Sequence, residues 1–413
     1  MNIQNIKSRK IALAPFNAIS MALSVLLERQ GISIVSIFDN NRKVQEKLFR
    51  GIPIYGANED NVKDLTVIVC SFISLKQIIK QLTQISSENI IEYEDVVNQN
   101  DLENMLAAFE EIKLNGDLDN INEYHKNVMF GSGDLSIRAA VPPIDTNKDS
   151  IILPLTTLVL TEKCTLRCKE CSHFMQYFKK PKEYSADDII SSFDRLLTVA
   201  SFIRCVGISG GEPLLHKDVL KVAEHVCKSE RVGYVTITTN ATIMPDENFF
   251  IEISKCENLI IRLSAYGEYS KYINQIAEQC EMNHIHYAIL NNATWYGGLR
   301  ITERNEDFEE VKHIFRACST KDILLKEHSI SKCHLACFAQ SLEAVPDDAP
   351  GIDGCLDILS PDFCTVKLRE YLDSNDPLKA CSICSGASRT REQVLPAEQI
   401  KETLPYKQYK VRV

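Results

Sequence analysis

The sequence predicts an α/β protein built from two consecutive series of alternating strands and helices, followed by a cysteine-rich tail. Three observations carry this expectation. Short β-branched or apolar runs alternate with helical patterns over residues 10–84 and again over 152–290, and strand-then-helix repetition gives parallel strands with helices packed on the sheet. A polar stretch separates the two series. Beyond residue 300 the alternation fades, and seven of the fifteen cysteines follow.

A chain of 413 residues holds two or three domains, each able to bury its own core. Its 45% hydrophobic and 25% charged content is ordinary for a globular chain. No apolar run approaches the roughly 18 residues of a membrane span, so no membrane partner is expected. The opening MNIQNIKSRK and the short run IALAPF lack the form of a secretory signal. A cytoplasmic location is expected. A formal charge of −10 argues against nucleic acid or an anionic membrane as partner, because phosphate binding needs clustered Lys and Arg. A small-molecule or peptide substrate fits better. Fifteen cysteines where thiols stay reduced point to metal ligation for the clustered ones.

In the first series, KIALAP (10–15) is a short strand, residues 17–30 are helical, and ISIVSIF (32–38) is a second strand ending at Asp39. LTVIVCS (65–71) and a helical pattern at 74–84 continue the order. Residues 1–110 therefore read as a Rossmann-like α/β domain. The loop Pro15-Phe16-Asn17 has none of the glycines that let a backbone approach a pyrophosphate, which speaks against dinucleotide binding. Asp39 and Asn40 sit where such folds contact a ribose hydroxyl, but acidic and amide residues also end strands as turn formers, the preferred reading. Residues 86–148 are polar, with GSGD at 131–134 and prolines at 142 and 143. The segment 111–150 is taken as a helical connector.

In the second series, strands are expected near 155–161, 203–209, 232–238, 259–264 and 285–290, separated by helices near 185–200, 217–229, 245–255 and 270–281. This is a barrel or open α/β sheet over residues 151–300, and residues 301–413 form a separate chemical unit.

Directly after the first of these strands, TEKCTLRCKECSH places Cys164, Cys168 and Cys171 at spacing C-x3-C-x2-C. Three thiols in one loop hold three corners of a cubane and leave the fourth iron open. A zinc site closed by His173 is the alternative. One β-α unit later comes Ser209-Gly210-Gly211-Glu212-Pro213. Glycines there allow close backbone approach, and a carboxylate beside them accepts hydrogen bonds from an ammonium group.

With both motifs in place, residues 152–300 resemble the radical SAM superfamily, whose partial (β/α)6 barrel carries a three-cysteine loop after strand one and a GGE motif after strand two. The resemblance implies that Cys164, Cys168 and Cys171 ligate a 4Fe-4S cluster whose open iron chelates S-adenosylmethionine. It also implies that Gly210, Gly211 and Glu212, with Ser209 beside them, contact the methionine ammonium. Ser264, at the end of the fourth strand, matches a position that contacts ribose or carboxylate. Thr239, Asn240 and Asn291 are further strand-end candidates, which also serve as turn formers. Family members carry an aromatic before the third cysteine, where this chain has Glu170. Adenine packing then falls to His173 or Phe174, each of which also reads as a buried barrel-top residue.

In the tail, Cys381-x2-Cys384 is a two-ligand turn, and Cys318 and Cys333 each end a short structured run. The pattern resembles the twitch and SPASM extensions, in which a β-hairpin and short helix enclose an auxiliary 4Fe-4S cluster. By that resemblance Cys318, Cys333, Cys381 and Cys384 are its ligands. Cys337, Cys355 and Cys364 remain as small buried residues or as a reactive, catalytic thiol. A second tail cluster and a zinc ribbon are the alternatives. The isolated Cys70, Cys205, Cys227, Cys256 and Cys280 read as packing. Trp295, with Tyr296, either lines a pocket or anchors the fold.

The resemblance implies reductive cleavage of S-adenosylmethionine to a 5′-deoxyadenosyl radical, which abstracts hydrogen from a substrate carbon. An electron donor such as flavodoxin or ferredoxin is the implied partner. Oxidation (dehydrogenation) follows if an auxiliary cluster takes the electron, and epimerisation if a thiol returns a hydrogen. The Rossmann-like segment resembles domains attached to glycan-biosynthesis enzymes, and that resemblance implies a carbohydrate or nucleotide-sugar type substrate. Peptide modification is the alternative, and a non-catalytic iron-sulfur electron-transfer protein is the alternative of another class.

Overall fold

The computed structural model describes residues 6–85, 89–117, 133–141, 150–291, 295–297, 300–302, 304, 307–318, 323–384, 386 and 392–409. The chain divides into two units, Met1–Asp145 and Thr146–Val413.

In the first unit the β-branched runs form strands β1 (Ile11–Ala14), β2 (Ile34–Phe38), β3 (Leu48–Phe49), β4 (Ile52–Tyr55), β5 (Thr66–Val69) and β6 (Asn89–Glu92). They assemble in the order β3-β4-β2-β1-β5-β6, parallel except for the β3 edge. Helices α1 (Ala18–Arg29), α2 (Glu59–Val62), α3 (Leu75–Gln84) and α4 (Leu102–Leu114) belong to this unit. Helix α1 begins where Asn17 and Ser20 exchange side-chain and backbone hydrogen bonds, the reciprocal cap that satisfies orphan amide groups. Asp39 accepts from the Phe16 amide at 3.0 Å and the Asn41 amide at 2.7 Å, so it shapes a turn, while exposed Asn40 donates to Gln81.

The expected boundary at residue 110 falls inside α4, which packs on α1. Residues 133–140 are helical, and Tyr93 donates to the Ala140 carbonyl at 3.1 Å. Part of the expected connector is therefore built into the first unit. Pro142 and Pro143 lie outside the described residues.

The second unit opens with β7 (Ile152–Leu153) and β8 (Thr156–Thr161), then α5 (Ala186–Leu197), β9 (Phe202–Gly210), α6 (Val219–Cys227), β10 (Val232–Thr239), α7 (Glu247–Ile253), β11 (Leu259–Ser264), α8 (Ile273–Met282) and β12 (His286–Leu290). The five expected strands stand in sequence order, all parallel. One face, including Val206, Ile208, Val235, Ile237, Ile261 and Leu263, is buried in one apolar core with helix residues such as Val222, Phe250 and Ile276. Ser185 and Asp246 cap α5 and α7, as short polar side chains do at helix starts.

The tail supplies β13 (Trp295–Tyr296), α9 (Phe308–Ala317), β14 (Ile323–Lys326), β15 (Ser329–Ser331), α10 (His334–Ser341), β16 (Cys355–Asp357), α11 (Thr365–Asp373) and β17 (Gln393–Val394). Strand β14 pairs in parallel with β8 and forms an antiparallel hairpin with β15, to which β16 adds. A sixth parallel strand thus lies beside the first strand of the barrel rather than beyond the fifth. The tail and the barrel share one sheet, although 301–413 was expected to stand apart. No helix among the described residues is long and apolar enough to cross a membrane.

Candidate active site

The loop after β8 carries Cys164, Cys168 and Cys171. Cys164 and Cys168 each lie within electrostatic reach of Cys171. Burial pushes the Cys164 thiol up to about 12 and the Cys168 thiol up to about 11, and it raises Cys171 as well. Buried thiols of this kind ionise when a metal takes the proton's place. Donors are aimed at all three sulfurs. The Leu166 amide and Asn240 Nδ2 reach Cys164 Sγ at 3.5 and 3.6 Å, Gln399 Nε2 reaches Cys168 Sγ at 3.3 Å, and the amides of Met175, His173 and Phe174 face Cys171. Hydrogen bonds to sulfur are what ligating thiolates receive. Among the described residues, no three His, Cys, Asp or Glu side chains are grouped to hold a single metal ion. A cubane instead takes one thiol per iron corner. The donor set fits a cluster.

The Gly-Gly-Glu segment is joined to this loop. The Gly211 amide donates to the Thr161 carbonyl at 2.7 Å and the Glu212 amide to the Lys163 carbonyl at 2.8 Å. A β-carbon on Gly210, whose φ is +138°, would overlap the Thr161 carbonyl, and one on Gly211 would overlap that of Lys163. The glycines therefore permit contact between two loops, where sequence reasoning had them admit a ligand. Glu212 is fully buried. Its Oε2 accepts from the Asn240 amide at 2.8 Å, its Oε1 from the Leu214 amide at 3.1 Å, and Thr239 bonds it as well. Burial pushes its carboxyl up to about 7 against those donors. The side chain fastens the ends of β9 and β10 together.

The remaining expected residues divide. His173 Nδ1 contacts the Gly210 carbonyl at 2.6 Å, and its ring lies 4.8 Å from that of His334. Phe174 is fully buried and stacked on Tyr177, which removes it from adenine packing. Glu170 is buried and ion-paired with Arg300, so a charge partner explains its place before the third cysteine. Ser264 bonds with Tyr266, a residue within electrostatic reach of all three thiols and packed edge-on to Trp295 at 5.5 Å. Asn291 is exposed just past β12.

The tail thiols also gather. Helix α9 ends at Cys318, α10 starts after Cys333, and both pack on the 3-10 turn Lys379–Ile383 that holds Cys381. Cys333 lies within electrostatic reach of Cys384 and Cys318, and Cys381 of Cys333 and Cys318. A β-carbon on Gly386 would stand 4.0 Å from that of Cys318, while the Gly386 amide donates to Cys384 Sγ at 3.2 Å. Burial pushes Cys333 and Cys381 each up to about 12. Cys337 is buried in the apolar core near Cys355, and Cys364 is exposed just before α11.

Sequence reasoning missed several partners. Residues 398–400 lie along the cysteine loop: the Lys169 amide donates to the Glu398 carbonyl, the Ile400 amide to the Arg167 carbonyl, and Gln399 Oε1 accepts from the Arg167 amide at 2.7 Å. Buried Glu162, just after β8, accepts from Tyr184 at 2.6 Å and faces buried Lys326 of β14 at 3.7 Å. Neither contact follows a local spacing rule, so neither leaves a signal in the sequence.

An open parallel α/β barrel, with three thiols after its first strand joined to a Gly-Gly-Glu segment after its second, defines the class. Residues 158–324 match the model of the Radical SAM superfamily. The superfamily uses a 4Fe-4S cluster and S-adenosylmethionine. Over 87 residues the chain is 33% identical to a probable GTP 3′,8-cyclase of Methanococcus maripaludis, covering 21% of this chain and 28% of that protein. It is 31% identical to GTP 3′,8-cyclase of Clostridium acetobutylicum over 87 residues, 21% of this chain and 27% of that one. The chain thus spans less than a third of the length of these relatives. Among solved structures, BtrN in complex with AdoMet and 2-DOIA gives a TM-score of 0.35 at 10% identity, over 57% of this chain and 89% of BtrN. Streptococcus suis SuiB bound to S-adenosylmethionine gives 0.32 at 13% identity, over 68% and 83%.

Proposed function

We propose that this chain is a radical enzyme in which Cys164, Cys168 and Cys171 hold the 4Fe-4S cluster, and that it oxidises a carbohydrate or nucleotide-sugar type substrate. One observation carries the reading: the hydrogen-bonded union of the three-thiol loop with the Gly-Gly-Glu segment, with donors aimed at every sulfur. Bound together, the cluster and S-adenosylmethionine supply a 5′-deoxyadenosyl radical that takes hydrogen from a substrate carbon. The chain's own residues build the rim around that reaction. Gly210 and Ser264 end two strands there and Asn240 follows the strand between them, Glu212 and Thr239 fix their spacing, and His173 is held against Gly210. Tyr266 and Trp295 form an aromatic wall that excludes water.

Oxidation is favoured over epimerisation because Cys318, Cys333, Cys381 and Cys384 gather into a site for a second 4Fe-4S cluster, an acceptor for the electron that oxidation releases. The candidate hydrogen-donating thiols are less suited: Cys337 is enclosed in the core, Cys355 is half-buried against the Ala336 carbonyl, and Cys364 faces solvent. The relatives' printed activity, on GTP, agrees with a sugar- and phosphate-bearing substrate. A cytoplasmic setting and a flavodoxin- or ferredoxin-type donor complete the proposal.

Iron counting after anaerobic loading tests it. The unmodified chain should bind about eight irons and the Cys164→Ala/Cys168→Ala/Cys171→Ala chain about four. An unchanged count would contradict the assignment of those thiols.

A further inference from the structure

The concave face of the barrel sheet carries a polar layer that neither the cluster nor S-adenosylmethionine requires. Side chains alternate between the two faces of a strand. Since Ile261 and Leu263 are buried in the helix-side core, Arg262 between them projects to the concave side. The neighbouring strands agree. Gly207 turns its Cβ direction toward Thr157 Oγ1 at 3.3 Å and Thr236 Oγ1 at 3.6 Å, Thr238 pairs in register with Arg262, and Ser209 lies two residues above Gly207. Arg262 is the one residue of β11 that is not buried, as Ser209 is in β9, and Thr238 is likewise half-buried in β10. Three accessible polar side chains thus face one space.

The guanidinium of Arg262 makes no hydrogen bond or ion pair among the described residues, although it lies within electrostatic reach of the Cys205 thiol below it. Cys205 itself, expected as core packing, bonds with Tyr234 and Thr236 on this same face. Five N–H donors are left for a ligand. Two residues farther along, β11 ends at Ser264, which bonds with Tyr266, a side chain within electrostatic reach of the three thiols. Arg262 is therefore one side-chain layer, about 7 Å, below the rim.

We infer that Arg262, with the hydroxyls of Ser209 and Thr238, is the anchor for an oxyanion group of the substrate. A guanidinium pairs bidentately with phosphate or carboxylate, and flanking hydroxyls donate to the remaining oxygens. An anion held one layer down directs the rest of the substrate toward the thiol loop. The inference deepens the proposed function and rests on it only for which end of the substrate reacts.

The test uses the full chain, anaerobically loaded with iron and saturated with S-adenosylmethionine so that its own carboxylate is already placed. Calorimetric titration with inorganic pyrophosphate and, separately, with succinate should detect binding of at least one. Arg262→Met should weaken it by about tenfold or more and Arg262→Lys by less, since the loss is of charge-assisted hydrogen bonds. Preference for pyrophosphate marks a phosphate-bearing substrate, and preference for succinate a carboxylate-bearing one. Equal iron content and equal S-adenosylmethionine affinity in all three proteins establish that the variants are folded. Equal anion binding by Arg262→Met and the unmodified chain, or binding of neither anion by the unmodified chain, would overturn the inference. Release of 5′-deoxyadenosine on reduction is measured alongside: its absence in every variant strikes the proposed function, while the anion titration judges Arg262 independently.

Discussion

At the scale of single residues, Glu212 differs most from its expected part. Its residue type and place beside two glycines suggested contact with an ammonium group, yet the side chain is buried and bonded to Asn240, Leu214 and Thr239. Burial raises its carboxyl from an ordinary 4.5 to about 7. A raised acid favours the fold while protonated, so its contribution is full below about 4.5 and is lost as pH rises through about 7. In the metal-free chain this component is on the order of 3 kcal/mol. Glu212→Gln should remove it: urea unfolding at pH 5 and pH 8 should show a smaller pH-dependent fall in stability for the variant. An identical fall in both proteins would show that Glu212 is not ionised with difficulty.

At the scale of elements, the five barrel strands were legible because each is a short β-branched run bounded by turn residues and followed by a periodic helix. The three-thiol loop was legible because ligands of one loop obey a local spacing. What closes the site was not. Gln399 meets Cys168 across a separation of 231 residues, and the segment around it, AEQIK, carries no periodic pattern. Strand β14 could be read as a hairpin strand, but nothing local told that it would pair with β8. The strap at 398–400 has a consequence for the cluster. A donor to a ligating sulfur stabilises the reduced, more negative state and so raises the reduction potential. Gln399→Leu should lower the midpoint potential of the cluster at Cys164, Cys168 and Cys171, read by an EPR-monitored redox titration, with iron content unchanged. A potential equal to that of the unmodified chain would contradict this placement of the amide.

At the scale of the molecule, two kinds of α/β unit follow one another, and the second absorbs the cysteine tail into its own sheet. Composition foretold the two alternating series but not this merger, because strand pairing between β8 and β14 depends on distant contacts. The merger sets the gathered tail thiols on the same folded body as the barrel rim. The central claim is that this body cleaves S-adenosylmethionine at the three-thiol loop. Its most direct test is chromatographic measurement of 5′-deoxyadenosine released by the reduced, iron-loaded full chain given S-adenosylmethionine. The account predicts release by the unmodified chain and none by Cys164→Ala/Cys168→Ala/Cys171→Ala; no 5′-deoxyadenosine from the fully loaded, reduced protein would contradict it.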